Sequence, residues 1–210
     1  MLTLAMDTAA AIGSIVLADE NGVIAETRLD APGGFGQVLF AEIEALLARA
    51  KVRLADIGLY AAASGPGSFT GVRIGLAAIK GLAEVAGKPA VGISNLAALA
   101  HFGSARLRAP VIDARRGEVF AALFGTDDEE LIPASVLPFR EFRALLGDRS
   151  VEYISADFDP GVSVTAAPME LAGMIARLAI QRCLAGESCD PASIEANYVR
   201  RSDAEVFWKA

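Results

Sequence analysis

Apolar and polar positions alternate, or apolar ones run together, over residues 1–7, 12–18 and 22–29, with short polar turns between them. That rhythm predicts three strands in a meander, and Asp19-Glu-Asn-Gly22 is a hairpin signal between the last two. From Gln37 to Lys51 the spacing changes. Leu39/Phe40, Ile43 and Leu46/Leu47 recur every three to four residues, with Glu42, Glu44 and Arg49 elsewhere, which is helical. A buried-type strand over 57–63 then runs into a Gly/Pro turn, and a helix follows from about Thr70 to Val85, stopped by Gly87-Lys-Pro89. A strand over 89–93 and a helix over 96–102 close the first half.

The second half starts anew. Strands over 109–113 and 118–124 form a hairpin at Gly117, and an acidic loop, Asp127-Asp-Glu-Glu130, follows. A helix over 139–146, a strand near 151–155 and a long amphipathic helix over 168–185 complete it. Each half therefore reads as a hairpin followed by alternating helix and strand, a mixed α/β sheet built twice. The expected lobes are 1–103 and 104–191. Segment 192–210, ending in Phe207-Trp208, is expected to pack back on the first.

Composition narrows the class. The 210 residues are 53% hydrophobic, with a mean hydropathy of +0.42, ample for a core. No uncharged run approaches the roughly 20 apolar residues of a membrane span, and no basic region precedes the first apolar stretch as a signal peptide requires. A cytoplasmic protein without membrane contact is expected. The net charge of −7 disfavours direct tRNA binding by this chain alone. Arg106/Arg108, Arg115/Arg116 and Arg200/Arg201 are the local basic pairs, most simply solvated surface. Cys183 and Cys189 fit neither a zinc spacing nor a C-x-x-C pair and read as reduced thiols.

The densest pattern is Ser64-Gly-Pro-Gly-Ser-Phe-Thr-Gly-Val-Arg-Ile-Gly at the strand–helix junction. Gly65, Gly67 and Gly71 permit unusual backbone angles or close approach, and Ser68 or Thr70 can cap the helix. A helix start of this kind is either a structural turn or an anion cradle. It is no Walker A loop and no dinucleotide fingerprint.

The whole string GPGSFTGVRIGL, with KGLA after it, resembles the signature of the TsaB (YeaZ) family. Leu4-Ala-Met-Asp7-Thr-Ala, Val91-Gly-Ile-Ser94-Asn-Leu, Ile112-Asp113-Ala-Arg115-Arg-Gly117-Glu118-Val-Phe and Pro191 to Tyr198-Val-Arg200 fit the same family in the same order. The resemblance implies a two-lobed actin/Hsp70-like (ribonuclease H-like) fold, with mixed sheets flanked by helices. It also implies a non-catalytic role beside a TsaD-like catalytic subunit and a TsaE-like ATPase, in making N6-threonylcarbamoyladenosine next to the tRNA anticodon. By itself such a chain forms a homodimer, and tRNA is met mainly through partners.

In ATPases of that architecture an acid after the first strand of each half helps hold hydrated Mg2+, which here implies Asp7 and Asp113. With Gly65, Gly67, Ser68, Thr70, Arg73 and Arg115 they form the expected degenerate nucleotide or anion site. A turn or capping role is the plain alternative for each. The residues after the two acids, Ala9-Ala10-Ala11 and Ala114-Arg115-Arg116, are not glycine-rich phosphate loops. No cofactor of its own is expected. ATP or ADP with Mg2+ enters at the degenerate site or through the partner. The chain's one histidine, His101, cannot alone make a metal site, and Phe35 stands where many relatives have a histidine.

Small residues at three- and four-residue spacing on the glycine-rich helix permit a close helix partner. Apolar or small residues cover nearly all its sides, more than one buried stripe needs. The expected interface is Gly71, Val72, Ile74, Gly75 and Ala78, with Leu39 and Ile43 from the preceding helix. A stand-alone actin/Hsp70-like ATPase or kinase using Asp7 and Asp113 is the competing expectation.

Overall fold

The computed structural model describes residues 1–159 and 161–199. Two compact units emerge. One comprises Met1–Asn95 and Met169–Ala196; the other holds Leu96–Pro168 and the described residues after Ala196.

The first unit opens with a meander of β1 (Thr3–Asp7), β2 (Gly13–Asp19) and β3 (Gly22–Leu29). Two parallel strands, β4 (Leu59–Gly65) and β5 (Ala90–Ser94), extend it to the order β3-β2-β1-β4-β5. Every residue of β1 and β4 is buried, as expected of central strands covered on both faces. The cover is helical. α1 (Leu39–Ala50) packs on β2 and β3, α2 (Phe69–Ala86) on β4 and β5, and α5 (Ala172–Leu184) on β1, β2 and β4.

The second unit repeats the plan. β6 (Arg108–Arg115), β7 (Glu118–Phe124) and β8 (Glu130–Pro138) form a meander, and β9 (Glu152–Ser155) and β10 (Val164–Ala166) add parallel strands in the order β10-β9-β6-β7-β8. Alternation along β7 splits its side chains between two cores. Val119, Ala121 and Leu123 join Phe142 and Leu146 of α4 (Phe139–Leu146). Phe120, Ala122 and Phe124 join Leu96 and Ala100 of α3 (Asn95–Ala100).

Three expectations change. Residues after the acidic loop form a nine-residue strand, β8. It is an edge strand, where Pro133 is tolerated because one side of its ladder is unpaired. The three-residue β10 was likewise not foreseen. The amphipathic helix expected in lobe 104–191 packs instead on the first sheet. The segment expected to return, 192–210, meets the first unit at its start: the Lys80 ammonium of α2 donates to the Ile194 carbonyl at 2.9 Å, and just before the segment Ala90 donates its backbone N–H to the Cys189 carbonyl at 2.8 Å. Phe207, Trp208 and the Arg200/Arg201 pair lie outside the described residues.

Candidate functional site

The glycine turn is built against the chain's own first hairpin. β4 ends at Gly65, the Gly65–Pro66 peptide is cis, and Ser68 caps α2 by accepting the Gly71 N–H on its hydroxyl at 3.2 Å. The Ser68 N–H donates to the Ala9 carbonyl at 2.6 Å, and the Thr8 hydroxyl donates to the Gly71 carbonyl at 2.7 Å. The missing side chains are what make this possible. A Cβ on Gly71 would collide with the Thr8 carbonyl oxygen. One on Gly67 would stand 2.5 Å from the Ala9 carbonyl oxygen, and one on Gly75 would lie 2.6 Å from the Thr8 hydroxyl. The glycines at four-residue intervals thus admit Thr8 and Ala9, and the structural half of the two sequence readings accounts for them.

Asp7 lies at the centre of this junction with no solvent exposure. One carboxylate oxygen accepts the Ala9 N–H at 2.8 Å and the other the Asn95 side-chain amide at 3.2 Å. Asn95 in turn accepts the Gly65 N–H at 3.0 Å, so it ties the ends of β1 and β4 together. Burial raises the Asp7 carboxyl to about 6 despite both hydrogen bonds, which act the other way. A buried carboxylate with its oxygens engaged, beside a glycine turn filled by its own backbone, fits a hydrated magnesium–nucleotide poorly. Sequence reasoning quoted Asn95 within a motif without assigning it a role. Its place directly after a strand, opening a helix, was the available signal.

Asp113 belongs to the second unit. Its carboxylate accepts the Arg115 N–H at 2.7 Å and pairs with that guanidinium at 3.0 Å. The turn beyond it takes positive φ at Arg115, Arg116 and Gly117. Asp157 accepts the Asp113 N–H at 3.3 Å, and burial pushes its carboxyl above the usual range. His101, just past α3, pairs with Asp128 at 3.2 Å. Among the described residues, no three or more His, Cys, Asp or Glu gather as a metal site would need.

The expected partner surface is largely turned inward. Leu39, Ile43, Val72 and Ala78 are buried, as are Gly71 and Gly75, and Ile74 is half-buried beside Gly36. Leu39, Ile43 and Leu46 of α1 and Val72, Leu76 and Ile79 of α2 are buried, while Phe40 and Phe69 are exposed. The outward stripe of α2 runs instead through Phe69, Arg73, Ala77 and Gly81 to Val85, while Phe40, Ala41, Ala45 and Ala48 are exposed on α1. The Arg73 guanidinium lies over the Phe69 ring, 3.6 Å from its centre, a cation–π contact. Phe35 is buried against the start of β2, where its ring blocks any side chain at Gly13.

Residues 34–157 match the family model of TsaD, the tRNA N6-adenosine threonylcarbamoyltransferase. The TsaB protein of Bacillus subtilis is 28% identical over 99% of this chain and 98% of its own length. The YeaZ structure from Pseudomonas aeruginosa superposes with a TM-score of 0.74 at 26% identity, over 94% of this chain and 99% of that one. The chain belongs to the TsaD–TsaB family, on its TsaB (YeaZ) branch.

Escherichia coli TsaB is 38% identical, but the match spans only 57% of that protein and 61% of this chain. The TsaB-type fold here is two-lobed, α/β and actin/Hsp70-like, with one mixed five-stranded sheet in each unit. An ethanolamine utilization protein, EutJ from Carboxydothermus hydrogenoformans, shares the fold with a TM-score of 0.51 at 12% identity. The glycine turn, α2 and Asp113 all fall inside the span matched by the TsaD model. No helix among the described residues is long and apolar enough to cross a membrane.

Proposed function

We propose that this chain is a non-catalytic partner subunit in the formation of N6-threonylcarbamoyladenosine on tRNA. It pairs with a TsaD-like catalytic subunit, works beside a TsaE-like ATPase in the cytoplasm, and self-associates when alone. ATP or ADP with Mg2+ is handled by the partners, and tRNA is met mainly through them. The observation that carries the reading is the match, end to end, with a relative named as a threonylcarbamoyladenosine biosynthesis protein.

The pairing surface is the outward flank of α2 together with exposed α1. Ala77 and Gly81 let a partner backbone approach closely. Phe40 and Phe69, 58% and 37% exposed, supply the aromatic anchors that interfaces favour. This replaces the inward-facing residues that sequence reasoning selected.

Nucleoside mass spectrometry of bulk tRNA from cells depleted of the protein tests the pathway. Loss of threonylcarbamoyladenosine is the expected result, and an unchanged level refutes the reading. Reconstitution of the transferase with and without this chain then tests the scaffold role.

A further inference from the structure

The two cysteines, separate in sequence and part of no recognisable motif, meet in the fold. Cys183 lies in the last turn of α5, and Cys189 lies in the segment that leaves it. Their sulfurs stand 2.8 Å apart, and both residues are half-buried free thiols. The turn between them is folded back by its own backbone. The Gly186 N–H donates to the Cys183 carbonyl at 3.1 Å, and the Glu187 N–H donates to the Arg182 carbonyl at 3.1 Å. Gly186 takes a φ of +81°, which favours glycine. The Cys189 carbonyl is held by the Ala90 N–H of β5. The folded-back turn thus holds the two sulfurs within reach of each other.

We infer that Cys183 and Cys189 are a dithiol modification site, closed to an intramolecular disulfide by exchange with a small-molecule disulfide such as oxidised glutathione. The step balances in two exchanges. One protein thiol loses its proton and attacks a glutathione sulfur, forming a mixed disulfide and expelling one glutathione thiolate. The second protein thiol loses its proton and attacks the protein sulfur of that mixed disulfide, expelling the second glutathione. The protein loses two electrons and two protons, and the two glutathione molecules gain them. Burial first, then the neighbouring Cys183, push the Cys189 thiol up to about 12. Once either sulfur is capped, the hydrogen bond between the two is gone and the second attack is eased.

The staple would lock a strap that supports α2. Beyond Cys189 the chain makes a 3-10 turn over Pro191–Ser193. Ile194 then closes over Gly92, where an added Cβ would lie 2.9 Å from its side chain. The Lys80 ammonium of α2 donates to the Ile194 carbonyl at 2.9 Å. Oxidation thus fixes the end of α5, the edge of β5 and the strap as one piece.

Intact-mass and peptide mass spectrometry of the full chain equilibrated with excess oxidised glutathione tests the inference. The expected product has lost two hydrogens, carries no glutathione and yields one peptide pair cross-linked through Cys183 and Cys189. Dithiothreitol restores the dithiol. Thermal unfolding of the oxidised form is expected roughly 5 °C higher than that of the reduced form, from the entropy of the short closed loop. Cys183→Ser and Cys189→Ser together should abolish any effect of oxidised glutathione on the melting temperature. A wild-type chain that stays a dithiol, or that accumulates a glutathione on each cysteine, overturns the proposal.

Discussion

Gly71→Ala and Gly81→Ala make the same chemical change in the same helix and are expected to have opposite effects. At position 71 the new methyl would collide with the Thr8 carbonyl oxygen, a backbone atom that cannot swing aside. Relief requires the hairpin and α2 to part, which costs about 1–3 kcal/mol as overpacking. Parting them also stretches the bond from the Thr8 hydroxyl to the Gly71 carbonyl, worth about 1 kcal/mol. The better helix propensity of alanine returns about 1 kcal/mol. The net expectation is a loss of about 1–3 kcal/mol, or a fall in melting temperature of roughly 2–12 °C for a chain of this size. At Gly81 no atom lies within 4 Å of the added methyl, so only propensity acts and stability rises by up to about 1 kcal/mol. Melting followed by far-ultraviolet circular dichroism measures both. A Gly71→Ala protein as stable as the wild type would show that the glycine is not there to admit Thr8. A destabilised Gly81→Ala protein would show that the outer side of α2 is already covered in the isolated chain.

Asp7→Asn tests the buried carboxyl. The folded-state pKa of about 6 exceeds the ordinary aspartate value of 3.8, so the stabilising contribution is full below the lower value and is lost as pH rises through the higher one. The stability of wild type relative to Asp7→Asn should therefore fall by about 2 kcal/mol between about pH 4.5 and pH 7.5; a flat difference in urea titrations contradicts the burial argument. Asn95→Ala removes the tie between Gly65 and Asp7 and is expected to cost about 2–3 kcal/mol by chemical denaturation, since buried groups lose their partners. Ala77→Glu, on the outward stripe of α2, should leave the melting temperature within about 1 °C while abolishing co-elution with a TsaD-like subunit in size-exclusion chromatography. Unimpaired co-elution moves the interface elsewhere. Ile74→Glu should destabilise the chain itself, because that side chain is half-buried beside Gly36.

Much of the fold was legible because its periods are clean. The meander, the 3.6-residue spacing of α1 and the capped start of α2 appear within a residue or two of their expected places. β8 was hidden because Pro133 and a mixed pattern of half-buried positions give an edge strand no strict alternation. The site was harder. A helix with small and branched residues on all sides announces two packed faces, but not which one the sheet takes. In the fold Val72, Leu76 and Ile79 go inward, and Phe69, Arg73, Ala77, Gly81 and Val85 are left outside. The glycines looked like room for a ligand because nothing in the sequence says that the Thr8–Ala9 backbone arrives there. The meeting of Cys183 and Cys189 depends on a turn through Gly186, which a count of intervening residues does not reveal.

The packing of α5 on the first sheet has a consequence for biosynthesis. The main segment of the second unit, Leu96–Pro168, is inserted between the two segments of the first. As the chain leaves the ribosome, β1 to β5 emerge early, but the helix that covers β1, β2 and β4 arrives only after the whole insertion has been translated, roughly 4–15 s later at ordinary elongation rates. Throughout that interval an apolar sheet face waits without its lid. The nascent chain should therefore be most vulnerable to aggregation, and most dependent on chaperones, between completion of β5 and emergence of Leu184.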